Sequence, residues 1–193
     1  MKLYSYTVTH DSGFAPNPFW DYCTLATCKP DIRLNAQEGD WVIGTGSVKN
    51  VGRDKLIYAM QITEVLPLDQ YYEDERFQAK RPIFKGSKAH GCGDNMYRKV
   101  NDEWKQLPSA YHTYRHRAKD LRGRNALISE IFYYFGRKAV EIPIEFRALT
   151  VIRGYKHRHS SETVQGFLLW LNSNFKTGKI GEPSINKSCG CRE

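Results

Sequence analysis

Eleven residues near the start of the chain, His10-Asp11-Ser12-Gly13-Phe14-Ala15-Pro16-Asn17-Pro18-Phe19-Trp20, exclude regular secondary structure where they stand. Pro16 and Pro18 fix φ and remove two backbone donors, and Gly13 admits angles closed to other residues. Neither a helix interior nor a central strand can run through them. The strand-like alternation of Leu3 to Thr9 must therefore end in a rigid loop that carries three aromatic rings. Loops of this kind are common seats of binding and catalysis. The rings would equally serve to pin the loop onto a core.

At 193 residues the chain can bury one core of ordinary size, so a single domain over 1–180 is expected, with a flexible tail over 181–193. No apolar run approaches the roughly 18 residues of a membrane span. The first residues pass straight into alternation without an apolar signal core, which points to an intracellular, cytoplasmic protein. The cysteines stand at 23, 28, 92, 189 and 191. Their odd number in such a chain argues for reduced thiols.

The net charge of +8 is unevenly spread: Arg76 to Arg124 holds thirteen Lys/Arg against four Asp/Glu, and the remainder is close to neutral. The same stretch holds Tyr97, Trp104, Tyr111 and Tyr114 with His90, His112 and His116. Cations interleaved with planar rings suit phosphate contact and base stacking, so DNA or a nucleotide is the expected partner. A solvated basic face is the plainer account.

Pro30 fits the first turn of a short helix over 30–36. Gly39-Asp40 makes a turn into a strand from Trp41, which runs into an exposed glycine hairpin at Gly44 to Ser47. Leu56 to Leu66, apolar on both faces, reads as a long central strand. Asp69 caps a helix over Tyr71 to Phe77. Tyr97–Val100 and Trp104–Leu107 form a hairpin across Asn101-Asp102, Pro143 starts a short helix through Leu149, and Ser160 or Ser161 caps a final helix whose stripe is Val164, Phe167, Leu168 and Leu171. The sum is an α+β fold in which strands form a partly closed mixed barrel flanked by short helices.

His10 supplies a candidate general base and Asp11 a carboxylate, although neighbours on an extended chain face opposite ways and so act on different groups. Asn17, held between prolines, offers both donor and acceptor to a base edge. A structural zinc is not indicated: Cys23 and Cys28 lack the spacing of a knuckle, and no glutamate lies between His112 and His116. A thiol nucleophile at Cys23 has no histidine that the sequence places beside it. Fingerprints for nucleotide cofactors are absent, and any other cofactor is unknown.

Ordered motifs then give the chain a resemblance. His10 to Phe19, Cys23-Thr24-Leu25-Ala26-Thr27-Cys28-Lys29-Pro30-Asp31-Ile32-Arg33, Gly39-Asp40-Trp41, Gly93-Asp94-Asn95, Trp104 with Gln106, and Phe132-Tyr133-Tyr134-Phe135-Gly136 are similar to the second type of nucleotide-modification-associated domain, found around phage and bacterial DNA-modification systems. The resemblance implies binding, with or without modification, of a modified or flipped nucleobase. The candidate positions are His10 and Asp11 for catalysis; Phe14, Asn17, Trp20, Cys23 and Thr24 for the base; and Lys29, Arg33, Arg98, Lys99, Arg115 and Arg117 for phosphates. A looser similarity is to barrels of the PUA, ASCH and EVE kind, which look after single bases in a cleft. A non-catalytic reader and a small-nucleotide enzyme are the alternatives.

Overall fold

The alternating start of the chain forms β1 (Leu3–Thr7) in the computed structural model, which describes residues 1–184. Packing divides the chain into two units. Unit 1 comprises Met1–Asp11, Gln37–Thr63 and Ser129–Ser184, and the described part of unit 2 comprises Ser12–Ala36 and Glu64–Ile128. Most of the expected tail, with Cys189 and Cys191, lies outside the described residues.

In unit 1, β1 pairs in parallel with β3 (Trp41–Thr45), and β3 pairs antiparallel with β4 (Lys55–Gln61). The other side of β4 takes β9 (Ile131–Tyr134) and, at Leu56, β10 (Val140–Glu141). At the margins, β11 (Tyr155–Lys156) lies antiparallel to β1 and β12 (Gly178–Lys179) parallel to β9. The α+β class holds. Among the described residues this strand order runs as an open path and does not close into a barrel.

Residues Leu56–Met60 are fully buried, as a strand apolar on both faces requires. The expected strand through Leu66 breaks at Ile62, whose N–H bonds Asp40 and whose carbonyl accepts from Gly39, both at 2.8 Å. The Gly44–Ser47 segment is buried rather than exposed: Gly44 belongs to β3, and a Cβ there would overlap Tyr58 and Val8. The final helix, α5 (Ser161–Asn174), is capped by Ser160, which accepts from the Thr163 N–H at 3.1 Å. It buries Val164, Phe167 and Leu171, with Leu168 packed at the margin, against Trp41, Ile43 and Leu149.

Unit 2 is built on a three-stranded sheet with β8 (Asn125–Ser129) between β2 (Cys23–Leu25) and β5 (Glu64–Pro67). Beside it stands the hairpin of β6 (Tyr97–Val100) and β7 (Glu103–Gln106), where Asn101 (φ 50°) and Asp102 (φ 61°) adopt the left-handed pair that a two-residue turn needs. The helices are α1 (Pro30–Asn35), α2 (Leu68–Glu73), α3 (Lys88–Gly91) and α4 (Arg117–Arg122). Asp69 is not the cap of α2, because Pro67 already occupies that place. Asp74 instead accepts from the Arg76 N–H and splits the expected helix into α2 and a 3-10 turn over Glu75–Lys80. The core gathers Phe14, Leu68, Tyr71, Phe77, Met96, Tyr97 and Ile128. No helix among the described residues is long and apolar enough to cross a membrane.

Candidate active site

The chain leaves β2 through Ala26 and Thr27 and then takes two successive left-handed residues, Cys28 (φ 57°) and Lys29 (φ 39°), before Pro30 opens α1. Left-handed backbone is costly for side-chain-bearing residues and persists only where its surroundings fix it. Two bonds do so here: the Cys28 N–H donates to Asp120 Oδ1 at 2.8 Å, and Arg33 Nε donates to the Cys28 carbonyl at 2.7 Å. The partly exposed thiol of Cys28 is thus presented at a sharp turn from strand to helix.

His112 meets that thiol, with its Nε2 lying 3.4 Å from Cys28 Sγ. Its ring makes two aromatic contacts, T-shaped with Phe14 (4.9 Å, 68°) and stacked with His116 (4.4 Å, 12°). Its backbone is tied down by Gln106, whose Nε2 donates to the His112 carbonyl at 2.8 Å. On the far side of the ring, Nδ1 lies 2.5 Å from Asp120 Oδ2. The same carboxylate oxygen accepts from the Tyr97 hydroxyl at 2.7 Å. Burial would push the Asp120 carboxyl up, but His112, Tyr97 and Arg33 outweigh it and hold it below the ordinary range. Burial first, and then Asp120, pushes the Tyr97 phenol well up, so it stays a donor. An ionised Asp120 assigns the proton to His112 Nδ1 and leaves Nε2 as the acceptor that faces sulfur. Nucleophile, base and orienting carboxylate stand in the order that covalent catalysis requires.

Arg33 ties the turn of the nucleophile to the helix of the carboxylate. It is fully buried, and besides Cys28 it donates Nη1 to the Asn125 carbonyl at 2.7 Å and Nη2 to the Asp120 carbonyl. Gly123 makes room for the guanidinium, since a Cβ there would lie 2.5 Å from Arg33 Cζ. The three donor atoms of Cys28, His112 and Asp120 lie within 4.8 Å of one another, which raises a metal as a question. The hydrogen bonds of the Asp120 carboxylate are already made to the Cys28 N–H, His112 and Tyr97. Among the described residues that leaves Sγ and Nε2, which contact each other at 3.4 Å, as half of a closed tetrahedral set.

Of the residues singled out from the sequence, Arg33, Phe14 and Lys29 lie at this site and the rest fall elsewhere. His10 is exposed, whereas Asp11 is buried in unit 1, where it accepts from the Tyr134 hydroxyl and burial pushes its carboxyl up. In unit 2, Phe14 stacks on Tyr111 (5.0 Å, 16°) and so backs the His112 ring. Asn17 is fully buried and engaged, donating to the Cys92 carbonyl at 2.9 Å and accepting from Lys80 Nζ at 2.8 Å. Trp20 packs on Phe19 and His90, and Cys23 is fully buried. Thr24 donates to Asp94 Oδ2 at 2.7 Å, while Tyr71 donates to Oδ1 at 2.9 Å. Arg33 turns its donors inward to carbonyls, away from any phosphate. Lys29 is partly exposed beside Cys28, and Arg98, Lys99, Arg115 and Arg117 are exposed. The sequence points to Cys28 only as a zinc ligand, to His112 only as a zinc ligand or a member of the basic stretch, and does not single out Asp120. The one local signal was Pro30, which forces a turn just after the cysteine.

Fold and site together define an α+β protein with a thiol–imidazole–carboxylate relay at a strand-to-helix turn. The chain belongs to the family of nucleotide modification associated domain 2, which matches residues 1–189. The match therefore takes in both units and the motif Cys23 to Arg33 that carries the turn. No curated protein and no solved structure matches it.

Proposed function

We propose that the chain is a nucleotide-modifying enzyme in which Cys28 attacks an electrophilic carbon of a nucleobase or a group attached to it. The observation that carries this is the relay itself, 3.4 Å from Sγ to Nε2 and 2.5 Å from Nδ1 to Asp120. His112 Nε2 takes the thiol proton, a sulfur–carbon bond forms, and the displaced electron pair moves onto the neighbouring atom of the substrate. That atom receives the proton back from His112, which closes a reversible addition without a further reactant. Base specificity, DNA as the form that presents the base, and extrusion of that base in the manner of the PUA, ASCH and EVE domains belong to the same proposal. Phosphate contacts are assigned in the same proposal to Lys29, Arg115 and Arg117, of which Arg117 also donates to the Trp104 carbonyl at 3.4 Å, and membership of the family supports the substrate class.

The test is alkylation by iodoacetamide, read residue by residue with mass spectrometry. Cys28 reacts ahead of the buried Cys23 and Cys92 and keeps reacting below neutral pH, where free thiols fall silent. H112A slows Cys28 at least tenfold at pH 6 and leaves the other cysteines unchanged. Equal rates in H112A and parent would sink the relay. A base reader without chemistry predicts that C28S and parent give indistinguishable products from modified DNA.

A further inference from the structure

Unit 1 carries a feature that the thiol site does not use. β11 is paired to β1 with Ser5 opposite Lys156 and Tyr6 opposite Tyr155, a register that sets Tyr4 opposite His157. Opposed residues of an antiparallel pair share a face, so Tyr4, Tyr155 and His157 come together on one side of the sheet margin. Their rings lie 6.4 Å (Tyr4–Tyr155), 5.8 Å (Tyr4–His157) and 5.8 Å (Tyr155–His157) apart, at interplanar angles of 34°, 30° and 27°. Three near-parallel rings at three similar distances cannot form a column; their centres make a triangle, a small aromatic plate in the sense of a compact cluster. Tyr4 is its buried member at 2 % exposure, and Tyr155 at 37 % and His157 are its open ones.

The stretch of chain that carries β11 has charge of one sign. Between Glu145 and Glu162 the chain carries Arg147, Arg153, Lys156 and Arg158 and no acidic residue. Arg147 reaches Asp54 at 3.8 Å, and Lys156 Nζ donates to the Ala148 carbonyl at 3.2 Å. Among the described residues no ion pair meets Arg153, Lys156 or Arg158. The long basic stretch of unit 2 differs, for there Arg76 pairs with Glu64 and Asp74, Lys99 with Asp69, Lys105 with Glu103, and Arg122 with Asp31. A charge count along the sequence therefore overstates unit 2 and misses the margin of unit 1. Exposed Ile152, at 76 %, adds apolar surface next to Arg153.

We propose that the β1–β11 margin is a stacking platform for single-stranded nucleic acid, with bases on Tyr155 and His157 and phosphates on Arg153 and Arg158. Flat rings on a sheet take up unstacked bases, whose faces a duplex hides, and the flanking guanidinium groups follow the backbone. The platform belongs to unit 1 and the thiol site to unit 2, and the platform does not depend on the chemistry of that site.

The test uses the full chain, fluorescein-labelled dT12, and the matching duplex, with binding read by anisotropy. The single strand binds more tightly than the duplex. Y155A/H157A weakens it by about tenfold or more, as loss of base–aromatic stacking demands, and Y155F/H157F stays within about threefold of the parent. R153A/R158A weakens binding and lowers the slope of log affinity against log salt by about 1.4, two single-strand phosphate contacts. Alkylation of Cys28 is unchanged in every variant, which keeps a failure here separate from a failure of the thiol site. Unchanged affinity in Y155A/H157A overturns the platform, as does preference for the duplex. So does binding to phosphatidylserine vesicles that depends on the arginines and not on the rings, since that would identify a general anionic surface.

Discussion

Replacing Arg33 probes the joint between the nucleophile turn and the carboxylate helix. Its three donors reach the carbonyls of Cys28, Asn125 and Asp120 from three different nitrogens of one planar fork. In Arg33→Met the Cys28 and Asn125 carbonyls lose this donor, at about 1–3 kcal/mol each, and the Asp120 carbonyl keeps the Gly123 N–H at 3.0 Å. Relief of the buried cation offsets part of this, because desolvation already lowers the affinity of Arg33 for its proton. A net loss of about 3–5 kcal/mol is expected, a large share of the roughly 5–15 kcal/mol that holds an ordinary domain. Arg33→Lys keeps the charge but presents its donors from one point, so about 2 kcal/mol is expected to be lost. Gly123→Ala drives a Cβ to 2.5 Å from the guanidinium carbon and costs about 1–3 kcal/mol by overpacking. Urea unfolding followed by far-UV circular dichroism measures all three, and alkylation of Cys28 in the folded variants reports whether the turn has loosened. The cycle of Gly123→Ala with Arg33→Lys decides the cause: the glycine change must cost less once the fork is gone. Additive losses, or an Arg33→Met within 1 kcal/mol of the parent, would refute the clamp.

Lys80, fully buried against Asn17 and Tyr22, offers a pH test. Burial holds its ammonium at about 8 against the ordinary 10.5, with Asp94 and Cys23 opposing. The folded chain thus releases this proton before the unfolded chain does, so stability rises with pH from about 8 towards 10.5, by at most ~1.4 kcal/mol per unit; Lys80→Met should flatten urea midpoints measured between pH 8 and 9.5. Asp120, held below its ordinary 3.8, contributes stability that is complete above that value and is lost as pH falls through the lower folded one. Asp120→Asn should remove that acid limb and slow alkylation of Cys28 by tenfold or more, because the amide no longer enforces the Nδ1 proton; an unaltered alkylation rate speaks against the relay. Thr24→Val keeps the shape but removes the bond to Asp94, with a loss of about 1–2 kcal/mol in the same unfolding assay.

Elements whose signals are local were legible in the chain. The alternation of Leu3–Thr7, the Asn101-Asp102 hairpin and the Ser160 cap need only their neighbours, and each stands as expected. Leu56–Leu66 misled because apolar periodicity does not record which strand each half will pair with: β4 joins β3 and β9, whereas β5 joins β8. The site was hidden for the same reason. Cys28 and His112 are 84 positions apart, and Asp120 lies eight further on, so that only the packing of α1, α4 and the segment before α4 brings them together. Arg33 shows the limit of composition: an arginine in a basic protein reads as a phosphate ligand until its burial is known. Asn17 was read as an open base reader, and its donor and acceptor are already taken by Cys92 and Lys80.

The units are interleaved along the chain, which passes from one to the other after Asp11, Ala36, Thr63 and Ile128. No cut at a single point releases either of them whole. During synthesis every described residue of unit 2, Cys28, His112 and Asp120 among them, has been made once Ile128 is joined, while unit 1 still lacks β9, the antiparallel partner of β4. The half-built sheet of unit 1 must wait through the making of Glu64–Ile128 with an edge of β4 uncovered. The residues of the thiol site are therefore synthesised before Arg153, Tyr155, His157 and Arg158 of the platform proposed on unit 1, and a chain terminated after Ile128 would carry the first set without the second.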